Sequence, residues 1–174
     1  RVRGIGVDLA GFKTAMEKQK ADARASWVGS GEAQTEPVWY RLRERHGSTE
    51  FLGYATLEAD GQILAIVSNG EEIEEARRKG DEVSVVGNQT PFYAEGGGQV
   101  GDRGTIREPG GGSELFAVED TQKPVGGLIV HRGTLHGRLR VGETVEAAVD
   151  GDRRAHTMRN HTGTHLLHRA LRNV

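Results

Sequence analysis

EVSVVGNQTPFYAEGGGQVGDRGTIR, residues 82–107, sets two short β-branched runs on either side of a glycine-rich loop. Val83, Val85 and Val86 before it, and Thr105 and Ile106 after it, suit a pleated and half-buried surface. Residues 82–86 and 104–107 therefore read as strands. Between them Gly96, Gly97 and Gly98 reach backbone conformations that other residues resist, and let main-chain amides come close to a ligand. The loop has no Gly-Lys-Ser/Thr ending and no dinucleotide-binding spacing, which excludes those two phosphate-binding chemistries. Two readings stay open. One is a tight barrel corner. The other is a binding loop in which Phe92, Tyr93, Glu95 and Gln99 stack on a base or bond a ribose.

Working outward, residues 51–57 and 62–67 read as strands joined by a hairpin at Asp60-Gly61. Further strands fit 115–120, 128–135 and 143–149. Turn signals stand at Asn69-Gly70, Lys79-Gly80 and Val141-Gly142. The 26 glycines of the 174 residues thus serve many short strands, and such a pattern predicts a small β-barrel, whose closure removes exposed edges. Residues 71–79 read as a short helical turn or a solvated charge run, and 109–113 as a flexible hairpin tip without function.

Helical periodicity flanks the barrel. Residues 8–25 carry a stripe through Phe12, Ala15 and Met16, with Asp8 as N-cap. A second helix is expected over 36–45, ended at His46-Gly47. From Asp150 onward Ala155, Met158, His161, Thr162, His165, Leu166 and Ala170 recur at spacings of three and four. The fold class is α+β: a helical segment over 1–48, a glycine-rich barrel over 49–150, and the first helix of a further unit over 151–174. No internal repeat is visible.

The net charge of −2 argues against a protein that coats nucleic acid indiscriminately. The chain has no cysteine, which excludes disulfides. No run of 18 apolar residues suggests a membrane span, no leader is apparent, and a cytoplasmic location is the default. The chain opens on Arg1 and stops within a helical pattern at Val174, so it is expected to be a piece of something longer.

His161 and His165 lie four apart and share a helix face. Zinc accepts imidazole nitrogens at about 2.0–2.1 Å and wants four ligands. A pair of surface histidines fits the spacing as well. A metalloprotease does not, because Thr162 stands where its glutamate is needed. His168 lies near the same face, with packing or a surface role as its simpler reading. His46, His131, His136 and His156 form no second pair, so a metal site here reads as incomplete. Arg153, Arg154, Arg159, Arg169 and Arg172 face one nearby acid, Asp152; phosphate contact and a solvated helix face are both open.

TPFYAEGGGQVGDRG and, some fifty residues on, RRAHTMRNHTGTHLLHRALRNV together resemble the editing region of alanyl-tRNA synthetases. Val130-His131-Arg132-Gly133, Val141-Gly142-Glu143-Thr144-Val145 and Val7-Asp8-Leu9-Ala10-Gly11-Phe12 are similar to that family too. The resemblance covers nearly the whole chain, in order, and includes a barrel of translation-protein type. It departs at Gly96, where the family often has serine. It departs also at Gly163, where many relatives have alanine; glycine there loosens the helix by up to about 1 kcal/mol.

The resemblance implies that His161 and His165 bind zinc, with a cysteine and a histidine supplied from beyond Val174. It implies that the loop of Glu95 to Gln99, with Gly97 and Gly98, lies beside this site and places the aminoacylated 3′ end, with Gln99 acting at the ester; Phe92, Tyr93 and Arg159 are the further candidates to hold that end. Thr162 and Thr164 have two open readings, hydroxyls supplied to the ester and hydroxyls bonded back to the helix. The parent would ligate alanine to tRNA(Ala), using ATP and magnesium in a region absent here. A pocket shaped for alanine rejects glycine and serine weakly, so the parent would also hydrolyse Ser- and Gly-tRNA(Ala). The implied partners are the tRNA acceptor end and the rest of the parent chain, with no membrane. A dimer through Leu166, Leu167 and Leu171 is a further expectation. This piece alone would be inactive. The alternatives are a non-catalytic barrel that positions tRNA and a free-standing editing deacylase; the helical segment before the barrel disfavours the latter.

Overall fold

The computed structural model describes residues 36–172, the side chain of His165 excepted; the helix expected over 8–25 lies outside them. Helix α1, Pro37–His46, begins with proline in its first turn, where a missing N–H costs nothing and the fixed φ suits the helix. It ends as the sequence predicts, with the Gly47 N–H donating to the Arg43 carbonyl at 3.0 Å. Val38, Trp39 and Leu42 form its buried stripe. They pack on Ala65, Val67, Val86, Leu128 and Val130.

Those five residues belong to strands whose other face points into a barrel. The strands are β1 Glu50–Phe51, β2 Glu58–Ser68, β3 Glu71–Ile73, β4 Glu75–Ala76, β5 Glu82–Gly87, β6 Gln89–Thr90, β7 Gly104–Arg107, β8 Glu114–Val125, β9 Leu128–Leu135, β10 Leu139–Arg140 and β11 Thr144–Val149. Six of them form a cycle. The order β11-β7-β8-β9-β5-β2 closes because β2 also pairs with β11, and every pairing in the cycle is antiparallel. Period-two alternation, shifted in β2 by a bulge between Ile63 and Ala65, then separates the faces. Ile63, Ile66, Val83, Val85, Phe116, Val118, Leu135 and Val145 fill one core. Ala65, Val67 and Val86, on the other face, receive α1. The predicted barrel is therefore present.

Its first strand is not where the sequence suggests. Residues 51–57 contribute only the end of β1, which pairs with β6 in parallel; turns follow. Asp60-Gly61 is not a hairpin but lies within β2, opposite Glu146 and Val145 of β11. The Gln62 N–H donates to the Asn88 side-chain oxygen at 2.7 Å. Long-range pairing on both sides of β2 outweighs the local turn preference of Asp-Gly. Within residues 71–79, Glu71–Ile73 and Glu75–Ala76 form β3 and β4 rather than a helical turn, with β4 paired to β10.

The 109–113 tip is held, not loose. The Gly110 and Gly111 amides each donate to one Glu146 oxygen at 3.0 Å, and Arg107 binds the other at 2.7 Å. The hydrogen bond from Arg107, reinforced by those amides, holds the Glu146 carboxyl below the usual carboxylate range. Helix α2, Gly151–Arg172, leaves the barrel directly from β11. Its apolar side chains Met158, Leu166, Leu167 and Leu171 are exposed. Among the described residues no helix is long and apolar enough to cross a membrane.

Candidate functional site: a cleft between the glycine turn and the histidine helix

The glycine-rich loop is built from its ends inward. The Tyr93 N–H donates to Asp102 Oδ2 at 2.6 Å, and the Asp102 N–H donates back to the Tyr93 carbonyl at 2.9 Å. The Thr121 hydroxyl donates to the Asp102 carbonyl at 2.9 Å, and the Glu95 N–H to the Thr121 carbonyl at 2.8 Å. At the tip, Gly96 and Gln99 exchange backbone hydrogen bonds of 3.1 and 3.0 Å. Gly97 and Gly98 between them have φ of +59° and +81°. Two consecutive positive φ values in a two-residue turn define the type I′ geometry, which favours glycine. An added Cβ on either would meet nothing within 4 Å. These glycines serve conformation, and they leave bare backbone facing outward.

Gly101 is needed for a different reason. A Cβ there would sit 2.3 Å from the Thr121 carbonyl oxygen and 2.9 Å from its nitrogen. Backbone cannot yield as a side chain does. Gly101→Ala should therefore lower stability by about 1–3 kcal/mol, the usual range for overpacking. Urea denaturation would show it as a lower midpoint at unchanged slope. An unaltered midpoint would mean that the loop is not pinned against β8.

Helix α2 is seated on the same loop. Asp150 caps its start, accepting the Arg153 N–H at 2.9 Å, the bond an N-cap carboxylate makes to a first-turn amide. Arg154 is 8% exposed and Asp102 4%. Arg154 Nε donates to Asp102 Oδ2 at 3.0 Å, Nη1 to the Gly53 carbonyl at 3.0 Å, and Nη2 to Asp102 and the Pro91 carbonyl. One guanidinium thus joins helix, loop and the turn after β1. Arg154 belongs to the interior, not to a phosphate-facing row of arginines.

So seated, α2 and the glycine turn enclose a cleft of about 420 Å³ lined by Gly97, Gly98, Gln99 and Val100 on one side. Thr157, Asn160, His161 and Thr164 line the other. Five residues singled out from the sequence meet here: Gly97, Gly98, Gln99, His161 and Thr164. The others whose side chains are described do not line it. Phe92 is fully buried in the barrel core, its ring edge-on to His131 at 5.2 Å, so it has no free face for a ligand. Burial of a large ring in a closed barrel outranks its value as a stacking surface. The Tyr93 hydroxyl supports the turn by donating to the Gly96 carbonyl at 3.4 Å, and Glu95 accepts from the Gln122 amide at 2.6 Å. Arg159 is exposed on α2. Thr162 donates to the Met158 carbonyl at 3.1 Å and Thr164 to Asn160 at 3.0 Å, the back-bonding habit of helical threonines.

His165 follows His161 by one turn of α2. Among the described residues no group of three or more His, Cys, Asp or Glu side chains is placed to hold a metal. Two imidazoles at this spacing suit zinc by their nitrogen chemistry, and supply half of a tetrahedral set. Asp102, Thr157 and Asn160 were not singled out as site residues, and Arg154 was read only as one of five arginines open to phosphate contact or solvent. Asp102 carried a visible signal, since it closes the glycine-rich motif; its pairing with a residue 52 positions away carried none.

A sequence model of the family described as tRNA synthetases class II (A) matches residues 1–153. The alanine–tRNA ligase of Chelativorans sp. (strain BNC1) is 55% identical over 177 residues, covering all of this chain and 19% of that protein. The alanine–tRNA ligase of Paramagnetospirillum magneticum is 52% identical over all of this chain and 20% of its own length. That of Rhizobium meliloti is 53% identical over the whole chain and 19% of its own. The chain spans about a fifth of the length of these curated relatives, whose matches run on past residue 153 through the histidine helix. With a family match over the barrel and the segment before it, the chain belongs to the class II (A) tRNA synthetases.

Proposed function

We propose that this chain is part of an alanine–tRNA ligase, and that the cleft is half of the site that hydrolyses Ser- and Gly-tRNA(Ala). The observation that carries this is the meeting of Gln99 and the bare Gly97-Gly98 backbone with His161 across one cleft. The parent enzyme charges tRNA(Ala) with alanine, using ATP and magnesium in a region outside this chain. Its partners are the tRNA acceptor end and the remainder of its own polypeptide, in the cytoplasm. The remainder covers Leu166, Leu167 and Leu171; without it, these side chains pair two copies of the chain.

In this reading the turn amides and the Gln99 side-chain amide position the terminal nucleoside and its ester. Asn160 and Thr157 bound the opposite wall and limit the size of the aminoacyl group. His161 and His165 would hold zinc together with ligands from elsewhere in the parent. Zinc, when bound, polarises an oxygen or lowers the pKa of a water. Arg159 stays available for phosphate on the exposed helix face.

A second reading, a non-catalytic barrel that positions tRNA, rests on the compact, self-contained cycle of strands. Gln99→Ala in the complete enzyme separates the two. The hydrolytic reading expects Ser-tRNA(Ala) deacylation to fall by about 10²–10³, the loss seen on removing one positioned donor, with alanine charging unchanged. The positioning reading expects weaker tRNA binding and an unaltered single-turnover deacylation rate. If neither rate nor affinity moves, the cleft is not the site.

A further inference from the structure

Tyr54 is the most exposed large hydrophobic side chain among the described residues, at 91%, yet it stands on a fixed turn. The Ala55 and Thr56 amides both donate to the Leu52 carbonyl, at 2.9 and 3.2 Å, and the Leu52 N–H donates to Thr90 at 2.8 Å. Gly53 is pressed so closely on its neighbours that a Cβ would lie 2.3 Å from the Pro91 oxygen and 2.5 Å from the Phe51 ring. Its carbonyl takes a hydrogen bond from the buried Arg154. A tyrosine so exposed adds little to the fold, and because the turn beneath it is fixed, only the ring's own rotation remains to be ordered when something binds against it.

The turn is also continuous with the cleft. The Tyr54 ring meets Phe51 edge-on at 5.0 Å, and Phe51 meets Tyr93 at 6.2 Å. Tyr93 in turn bonds the carbonyl of Gly96, where the glycine turn begins. On the barrel side, the Val149 N–H donates to the Leu57 carbonyl and the Asp150 N–H to the Arg103 carbonyl. Arg103 is exposed and has no ion pair among the described residues. An open aromatic ring and a free cation thus flank the β11–α2 junction, beside a site read as holding an RNA end.

We propose that Tyr54 is a stacking platform for a base of the single-stranded RNA 3′ end, just upstream of the nucleotide held in the cleft, with Arg103 taking a neighbouring phosphate. This rests on the assignment of the cleft to an aminoacylated RNA end. Stacking of a base on an aromatic ring tolerates any base, because every base offers a π-face. The site would therefore add affinity and hold the strand in line, without adding sequence preference. Phenylalanine should serve in place of Tyr54; alanine should not.

The test uses the 174-residue chain and short single-stranded RNAs carrying 2-aminopurine at each of the last few positions in turn. Its fluorescence is quenched on stacking. The unsubstituted protein and Tyr54→Phe should quench one position and bind alike. Tyr54→Ala should abolish that quench and weaken binding about tenfold, the low end of what one stacked base contributes. Arg103→Gln should weaken binding, lessen its salt dependence and spare the quench. If RNA binds and Tyr54→Ala alters neither quench nor affinity, the stacking role is wrong while the cleft assignment stands; Tyr54 then faces protein. If the unsubstituted chain binds no RNA, the stacking role falls, because the Tyr54 ring is already open on this chain; the cleft, only half present here, is judged separately by Gln99→Ala in the complete enzyme.

Discussion

Arg154→Met is expected to cost about 3–5 kcal/mol of folding stability, the range for leaving one member of a buried ion pair alone. The variant strands the Asp102 carboxylate, 4% exposed, with the Tyr93 N–H as its remaining donor. It also removes the donors to the carbonyls of Gly53 and Pro91, and methionine supplies none. A second substitution shows whether charge is the cause. Asp102→Asn keeps an oxygen for the Tyr93 amide and removes the charge, so Asp102→Asn/Arg154→Met should recover a large part of the loss. A double variant no more stable than Arg154→Met would mean that the lost backbone contacts, not the orphaned charge, set the cost. The consequence reaches the cleft because α2 is seated on the loop through this guanidinium. In an otherwise folded variant, the wall bearing His161 would lose its alignment with the Gly97-Gly98 turn.

That pair also marks where sequence reading stops. The barrel was legible because its strands alternate and its turns are rich in glycine, and both patterns are local. The cleft was legible by halves: Gly97, Gly98 and Gln99 from the triple-glycine loop, His161 from helical spacing. What joins the halves is Asp102 with Arg154, 52 residues apart, and no local pattern announces such a contact. Arg154 looked like one of five basic residues on a solvated helix, and only burial distinguishes it from Arg153 and Arg159. Phe92 misled in the opposite direction. An aromatic beside a glycine loop suits a ligand site, but the chain enters the barrel at Thr90 and carries Phe92 inside. Asp60-Gly61 was read as a turn because the dipeptide favours one; β5 and β11 on either side of β2 outweigh that preference.

His131 was read as part of a family-like strand and as a histidine without a metal-binding companion, and its expected effect is nearly as large as that of Arg154. It is 3% exposed. Its Nδ1 lies 3.0 Å from the Val85 carbonyl oxygen and its Nε2 2.8 Å from the Thr90 hydroxyl. A carbonyl can only accept, so Nδ1 carries the proton and Nε2 accepts from Thr90. The Thr90 oxygen in turn accepts the Phe92 N–H at 3.2 Å. The network is complete with a neutral ring and has no place for a second ring proton. Burial lowers the pKa from 6.5 to about 4, the hydrogen bond to Val85 opposing only in part. In the unfolded chain the ring protonates near 6.5; in the folded barrel it resists until about 4. Between these values the unfolded state binds more protons, so stability falls as pH falls. The contribution is complete above about 6.5, and is lost progressively down to about 4. At 1.36 kcal/mol per pKa unit, the whole window amounts to about 3 kcal/mol. The total pH dependence sums over every titratable group, so the informative quantity is a difference. His131→Phe removes the titrating group and leaves the Thr90 hydroxyl and Val85 carbonyl without their partner, which should cost about 1–3 kcal/mol at neutral pH. Between pH 7.5 and 4.5, however, it should lose less stability than the unsubstituted chain, by close to one proton's worth of slope. Parallel stability–pH curves for the two proteins would mean that the folded ring takes up its proton as readily as the unfolded one, and that the Thr90–His131–Val85 bridge does not hold it neutral.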